Sequence, residues 1–294
     1  MYRAVLNLEL AVRPSPDEIA AVLRHLPSSP NVLPQLCRFV HEDNASLQEV
    51  NHFLRLDPGL TARVLRIGSQ LATVRGQPCR SLEDAMGQIG FNRLADMIRQ
   101  VAKAQVFARP VDLYGLDAED FWRWSVSCAL AAELLAEEIG EDISVAYTLG
   151  LLHCMGIVAI DEWVRQMAPS LLFLPRDGLC DFMQSELALL GCTQADVGAA
   201  VMRRWGFPAT LVEPLRCQSA PCDARGHQRM ACLLIAAKWL RTIVCTDDDR
   251  RPPSPPADEV LRALGVSREQ LSGFVVDLRI RLGRARNLVE AVAA

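Results

Sequence analysis

Aromatic residues are scarce in this chain, at 6%. Runs that alternate apolar with polar residues between turn pairs are nearly absent. Without that alternation there is no strand signature, and the abundant Ala and Leu favour helix instead. Also missing are a Gly-x-Ser-x-Gly elbow, a Walker loop and a Gly-x-Gly-x-x-Gly turn. The familiar nucleophile and phosphate-cradling motifs therefore have no representative. An excess of positive charge is lacking too. The formal net charge is −4, which gives no global attraction toward nucleic acid or an anionic membrane. The first residues, Met1-Tyr2-Arg3, lead to Asn7 and Glu9 without a long apolar run, so no secretory signal is expected.

Charge is absent locally as well. Ile143 to Ile160 holds no Asp, Glu, Lys or Arg, and its 18 residues touch the lower limit of a membrane span. The stretch carries Ser144, Tyr147, Thr148, His153 and two glycines, and acidic pairs flank it at Glu141-Asp142 and Asp161-Glu162. Neither end has a basic anchor. A central helix buried on all sides is the expectation.

Half of the residues are hydrophobic and 22% are charged, enough apolar side chain for a sizeable core. The ten cysteines are scattered, several inside apolar stretches such as Val126 to Leu130. They read as buried free thiols in a reducing cytoplasm. Cys217 and Cys222 have no matching second pair, so a zinc site is not expected.

Helix starts are well marked. Ser15-Pro16-Asp17-Glu18 supplies a cap, a first-position proline and first-turn acids. Ser46 to Glu49 and Ser267 to Gln270 read as capping boxes, with Ser81 to Asp84 a near match. Asp57-Pro58 predicts a cap worth about 1 kcal/mol. Asp117 and Gly140 bracket a long helix from Ala118 to Ile139. Pro252-Pro253-Ser254-Pro255-Pro256 marks a surface connector near residues 246–257. Residues 257–264 and 268–290 then read as amphipathic helices. Arg279, Arg281, Arg284 and Arg286 on the last of these read as a solvated face. The fold class expected is all-α, about a dozen helices in a bundle with an N-terminal helical lobe. The expected division is an N-terminal segment (1–15), a helical domain (16–220), and C-terminal helices (221–294) packed on that domain.

Several short elements occur in the order of a known family. Gly150-Leu151-Leu152-His153-Cys154-Met155-Gly156 resembles the Leu-Leu-His-Asp-x-Gly signature of HD-type metal-dependent phosphohydrolases, with Cys154 in place of the Asp. Asp57-Pro58-Gly59-Leu60-Thr61-Ala62-Arg63 to Arg66, Ser81 to Leu94, Phe121 to Ser125, Thr193 to Ala199 and Trp205-Gly206-Phe207-Pro208 resemble further elements. Taken together they resemble the HDOD family, the HD-related output domain of bacterial signalling proteins.

The resemblance implies an HD-like bundle and a role as adaptor or output module. Its ligand positions fall here on Trp124, His153, Cys154 and Gln194, with Arg216-Cys217-Gln218 further on. One plausible ligand, His153, remains where a catalytic metal generally needs at least three. His153 is therefore expected to be a hydrogen-bonded core histidine. A pairing of His153 with Cys154 is disfavoured because adjacent helical residues point about 100° apart. The chain is expected to be non-catalytic, without cofactor or metal, and cytoplasmic. Its expected partners are signalling proteins of the response-regulator or cyclic-di-nucleotide-enzyme type; with no receiver or GGDEF-type motif in the sequence, the chain is expected to act as a stand-alone module or to pair in trans. Two alternatives stand beside this: a phosphohydrolase with a rebuilt site, and a sensor holding a small ligand or nucleotide in a vestigial pocket of Trp124, His153, Cys154 and Gln194.

Overall fold

The computed structural model describes residues 13–29, 31–40, 46–76, 78–104, 109–168, 182–221, 224, 226–246 and 253–291. Within them the chain is helical and no strand element forms. After α1 (Pro16–Val22), the N-terminal lobe comprises α2 (Leu33–Phe39), α3 (Leu47–Leu54), α4 (Pro58–Arg75), α5 (Leu82–Ile89) and α6 (Phe91–Ala104). A 3-10 turn at Asp112–Tyr114 leads to α7 (Ala118–Ile139), α8 (Ile143–Leu152) and α9 (Met155–Met167). Then come α10 (Met183–Leu190), α11 (Gln194–Arg204), α12 (Ala209–Arg216), α13 (Gln228–Cys245), α14 (Asp258–Leu264) and α15 (Arg268–Ala291).

Local chemistry sets these boundaries. Asp117 caps α7 by accepting from the Asp120 N–H at 2.7 Å, and Gly140 ends it in the left-handed region at φ 70°. Ser15 and Ser46 each form a reciprocal capping box with the Glu three residues on. Ser267 and Gln270 exchange the same pair of bonds.

The three-residue link Gly140-Glu141-Asp142 turns α8 back along α7, and α13 packs across both. Gly150 makes the α7–α8 approach close, since a Cβ there would stand 2.6 Å from the Cys128 carbonyl oxygen. The expected buried helix over Ile143 to Ile160 is instead a pair, α8 and α9, broken at His153-Cys154. The apolar stretch Ile143–Met167 is long enough to cross a membrane, but 89% of its most apolar window is buried inside the protein.

The C-terminal helices lie on the bundle, with α15 against α7 and α13. Its arginines are not all a solvated face. Arg281 reaches Glu133 at 3.2 Å and Glu137 at 2.7 Å on α7, while Arg286 pairs within its own helix with Glu290. The proline-rich connector falls partly outside the described residues. Its Pro253 carbonyl accepts from the Trp239 indole N–H.

Asp57 does more than cap α4. It is fully buried, and its carboxylate accepts from the Leu60 N–H at 2.8 Å and the Ser29 N–H at 2.9 Å. It therefore ties the loop after α1 to the start of α4. Burial lifts its pKa to about 7, against the Leu60, Ser29 and Gly59 N–H groups and the Arg63 guanidinium, which favour its charge. Asp57→Ala orphans two buried donors, each worth about 1–3 kcal/mol, and relieves one desolvated carboxyl. The expected net loss is about 2–3 kcal/mol, above the cap alone. Urea denaturation checks it, and an unchanged midpoint would remove Asp57 from the stability of this lobe.

Candidate functional site

The break between α8 and α9 builds the site. His153 still has helical dihedrals (φ −59°, ψ −24°) as the end of α8, while Cys154 (φ −91°, ψ 4°) stands outside regular helix and opens α9. The geometry of a continuous helix no longer applies, so the two side chains meet. The Cys154 Sγ lies 2.9 Å from His153 Nε2, which overturns the expectation that they diverge.

His153 is 0% exposed. Its Nδ1 stands 2.6 Å from the Gly150 carbonyl oxygen. A carbonyl can only accept, so Nδ1 carries the hydrogen and Nε2 presents a lone pair. Two donors converge on that lone pair. One is the Cys154 thiol. The other is Arg241 Nη1, from α13, at 2.9 Å. Burial holds the His153 imidazole well below its ordinary pKa, and the positive charges of Arg241 and Lys238 act in the same direction against the Gly150 carbonyl. The ring is thereby kept neutral.

Arg241 is itself 4% exposed. Its guanidinium lies 4.4 Å from the Trp124 ring centroid, a cation–π contact, and its Nη2 donates to Thr242 Oγ1 at 3.2 Å. Cys128 completes the surroundings on α7; burial pushes its thiol up to about 12.

Three of the four residues named from the sequence therefore meet around a fourth side chain that the sequence did not single out. Gln194 takes another role at the start of α11. Its N–H donates to Glu186 Oε2 at 2.8 Å. Its Oε1 is buried without a hydrogen-bond partner among the described residues. Glu186, wholly buried, also accepts from the Tyr114 hydroxyl at 2.9 Å. This carboxylate joins the 3-10 turn, α10 and α11, a link with no mark in the sequence.

The set does not fit a divalent metal. It offers one imidazole lone pair, a thiol and an indole, and the place a cation would occupy on Nε2 already receives a guanidinium hydrogen bond. Further along the chain, Arg216 pairs with Glu213, and the Gln218 side-chain amide is buried without a hydrogen-bond partner among the described residues. Among the described residues no group of three or more His, Cys, Asp and Glu side chains could hold a metal ion. Cys180, Cys222 and His41 lie outside the described residues, and with Cys222 the Cys217–Cys222 spacing. Among the described residues, Cys79, Cys128, Cys154, Cys192, Cys217 and Cys232 are buried and form no disulfide.

Comparison with known proteins places this geometry in a family. The family model of the HDOD domain matches residues 26–221. A curated relative from Treponema pallidum (strain Nichols), described as an uncharacterized protein, is 20% identical over 200 residues. That match takes in 67% of this chain and only 38% of the relative. Among solved structures, the MmoQ response regulator of Methylococcus capsulatus str. Bath superposes with a TM-score of 0.67 at 18% identity, over 85% of this chain and 98% of that one. A virulence factor from Campylobacter jejuni subsp. jejuni gives 0.62 at 18% identity, over 88% and 92%. These identities speak for the fold, and the family match covers two thirds of the sequence. A helical bundle with a broken α8–α9 pair at the His-Asp position, matched from residue 26 to 221, makes this chain a member of the HDOD domain family.

Proposed function

We propose that this chain is a non-catalytic regulatory module of bacterial signal transduction that works by binding other proteins. Its partner classes are response regulators and cyclic-di-nucleotide enzymes. One observation carries the reading: Arg241 donates to the His153 lone pair that a metal would need. A guanidinium at that point repels a divalent cation, and its cation–π contact with Trp124 and its bond to Thr242 hold it there. The fold shared with a protein named as a response regulator supports the signalling context.

The reading of a rebuilt phosphohydrolase needs ligands that the described residues do not bring together. The reading of a nucleotide held between Trp124 and His153 needs space that the Arg241 guanidinium fills, since it touches both.

Elemental analysis of the purified chain, alongside a phosphodiesterase assay with added Mn²⁺, Fe²⁺ or Mg²⁺, tests the proposal. The expected result is substoichiometric metal and no turnover. About one or two Fe, Mn or Zn per chain, lost on His153→Ala, would sink it.

A further inference from the structure

A second concavity lies away from His153, where the loop after α1 meets α4, α6 and the end of α11. Its volume is about 300 Å³, the lower end of the range of small-molecule clefts. Arg24, His25, Arg63 and Arg66 line it, and no carboxylate does among the described residues. In addition, no carboxylate side chain pairs with any of these three arginines within 4 Å among the described residues. The Arg63 Nε is buried with no hydrogen-bond partner among them. Asp57 is the carboxyl that acts on Arg63, but it accepts from the Ser29 and Leu60 N–H groups.

The cluster is held in shape by the fold. Gly59 lets the first turn of α4 press against the Pro27 carbonyl, which a Cβ would meet at 2.4 Å. Asp57 fixes the Ser29 N–H behind it. Arg66 Nη1 donates to the Arg24 carbonyl at 3.1 Å, and its guanidinium stands 5.5 Å from the Trp205 ring centroid. Arg63 and Arg66 are three residues apart on α4 and so share a face. Like charges gathered at one cleft, with no ion pair of their own among the described residues, cost free energy that an anion recovers on binding. The charges also act on His25: burial lowers its pKa, and Arg63, Arg66 and Arg24 lower it further against a hydrogen bond to the Arg24 backbone. Guanidinium forks match phosphate oxygens two at a time. The rest of the wall, with Ile67, Met97, Gln70 and Gln100, offers apolar surface and two amides to whatever bears the phosphate.

We infer that this cleft is a binding site for a small phosphate-bearing molecule, an input to the domain separate from the His153 position. The inference does not depend on whether the His153 position is catalytic.

The test is isothermal titration of the full chain with sodium pyrophosphate and, separately, with guanosine monophosphate, at constant ionic strength set with chloride. Saturable binding is expected, weakened about tenfold or more by Arg24→Gln and by Arg63→Gln. Arg99→Gln, on α6 but outside the cleft and paired with Asp96, is expected to leave it unchanged. Tighter binding of the nucleotide would assign the rest of the wall to a base, and equal binding would assign the site to phosphate alone; both support the site. Absence of saturable binding to either probe overturns the inference, as does binding that Arg24→Gln leaves intact or that Arg99→Gln weakens equally. Arg63 is half-buried, so its variant is checked for folding by circular dichroism. The Arg24 side chain is exposed, and Arg24→Gln decides the matter if Arg63→Gln does not fold.

Discussion

Gly156→Ala is expected to destabilise the chain by more than about 3 kcal/mol, or to prevent folding, although it adds one methyl group. A Cβ at Gly156 would stand 1.9 Å from the Gln194 carbonyl oxygen and 2.9 Å from the Gly198 nitrogen. Both are backbone atoms of α11, which cannot rotate away as a side chain would. Gly198 is the matching thin point on α11, with its own Cβ position 3.3 Å from the Gly156 nitrogen and 2.9 Å from Leu215 Cδ2. The crossing of α9 and α11 thus depends on two glycines facing each other, and any separation would open the core on both sides. Gly87→Ala is the comparison. It lies inside α5 with nothing within 4 Å of its Cβ position, so the better helix former is expected to raise stability by up to about 1 kcal/mol. Denaturant midpoints for the two variants, followed by circular dichroism, check both directions. A wild-type midpoint for Gly156→Ala would mean that α9 and α11 do not cross at this distance.

The helices were legible wherever a boundary rests on local chemistry. Asp117, Gly140 and the serine caps announce themselves because each bond spans three or four residues. The break at His153-Cys154 was not legible. Cys154 is an ordinary apolar residue in a charge-free run, and the stretch carries no proline to stop a helix. What bends the chain there is packing, with Gly150 pressed on α7 and Gly156 on α11.

The site divides in the same way. Trp124, His153 and Cys154 were found because the family's elements mark their positions. Arg241 is 88 residues from His153 and enters only through the α13 packing. Its one signal was a lone arginine between Leu240 and Ile243-Val244 in a helix that is otherwise largely apolar. The arginine-lined cleft shows the same limit. Arg63 and Arg66 share a face that spacing reveals, whereas Arg24 joins them only after the loop of α1 folds over Gly59.

Restoring the missing carboxylate is the sharpest test of what the His153 position has become. From the sequence alone, Cys154→Asp would put a charge into a segment with no cation in it, at a cost of several kcal/mol. The structure supplies the cation. Cys154 Sγ and Arg241 Nη1 both lie 2.9 Å from His153 Nε2, so a carboxylate at position 154 falls within reach of the guanidinium. Cys154→Asp is therefore expected to fold, with a loss of about 1–2 kcal/mol for desolvation that the ion pair does not fully offset. Its melting temperature is expected not to respond to Mn²⁺, because the positive charge already in place answers the carboxylate. Combining Cys154→Asp with Arg241→Met removes that charge and leaves the carboxylate buried beside a neutral imidazole. The double variant is expected to lose about 3–5 kcal/mol more, the usual cost of breaking a buried pair. Added Mn²⁺ then separates the two histories open to this fold. His153 and one carboxylate are two ligands where a working site takes three or more, so no rescue is expected. A double variant that regains its stability with Mn²⁺ would show further ligands converging on the same point. Arg241 would then be a plug in an intact metal site, and the regulatory reading would give way to that of a hydrolase held off by its own arginine.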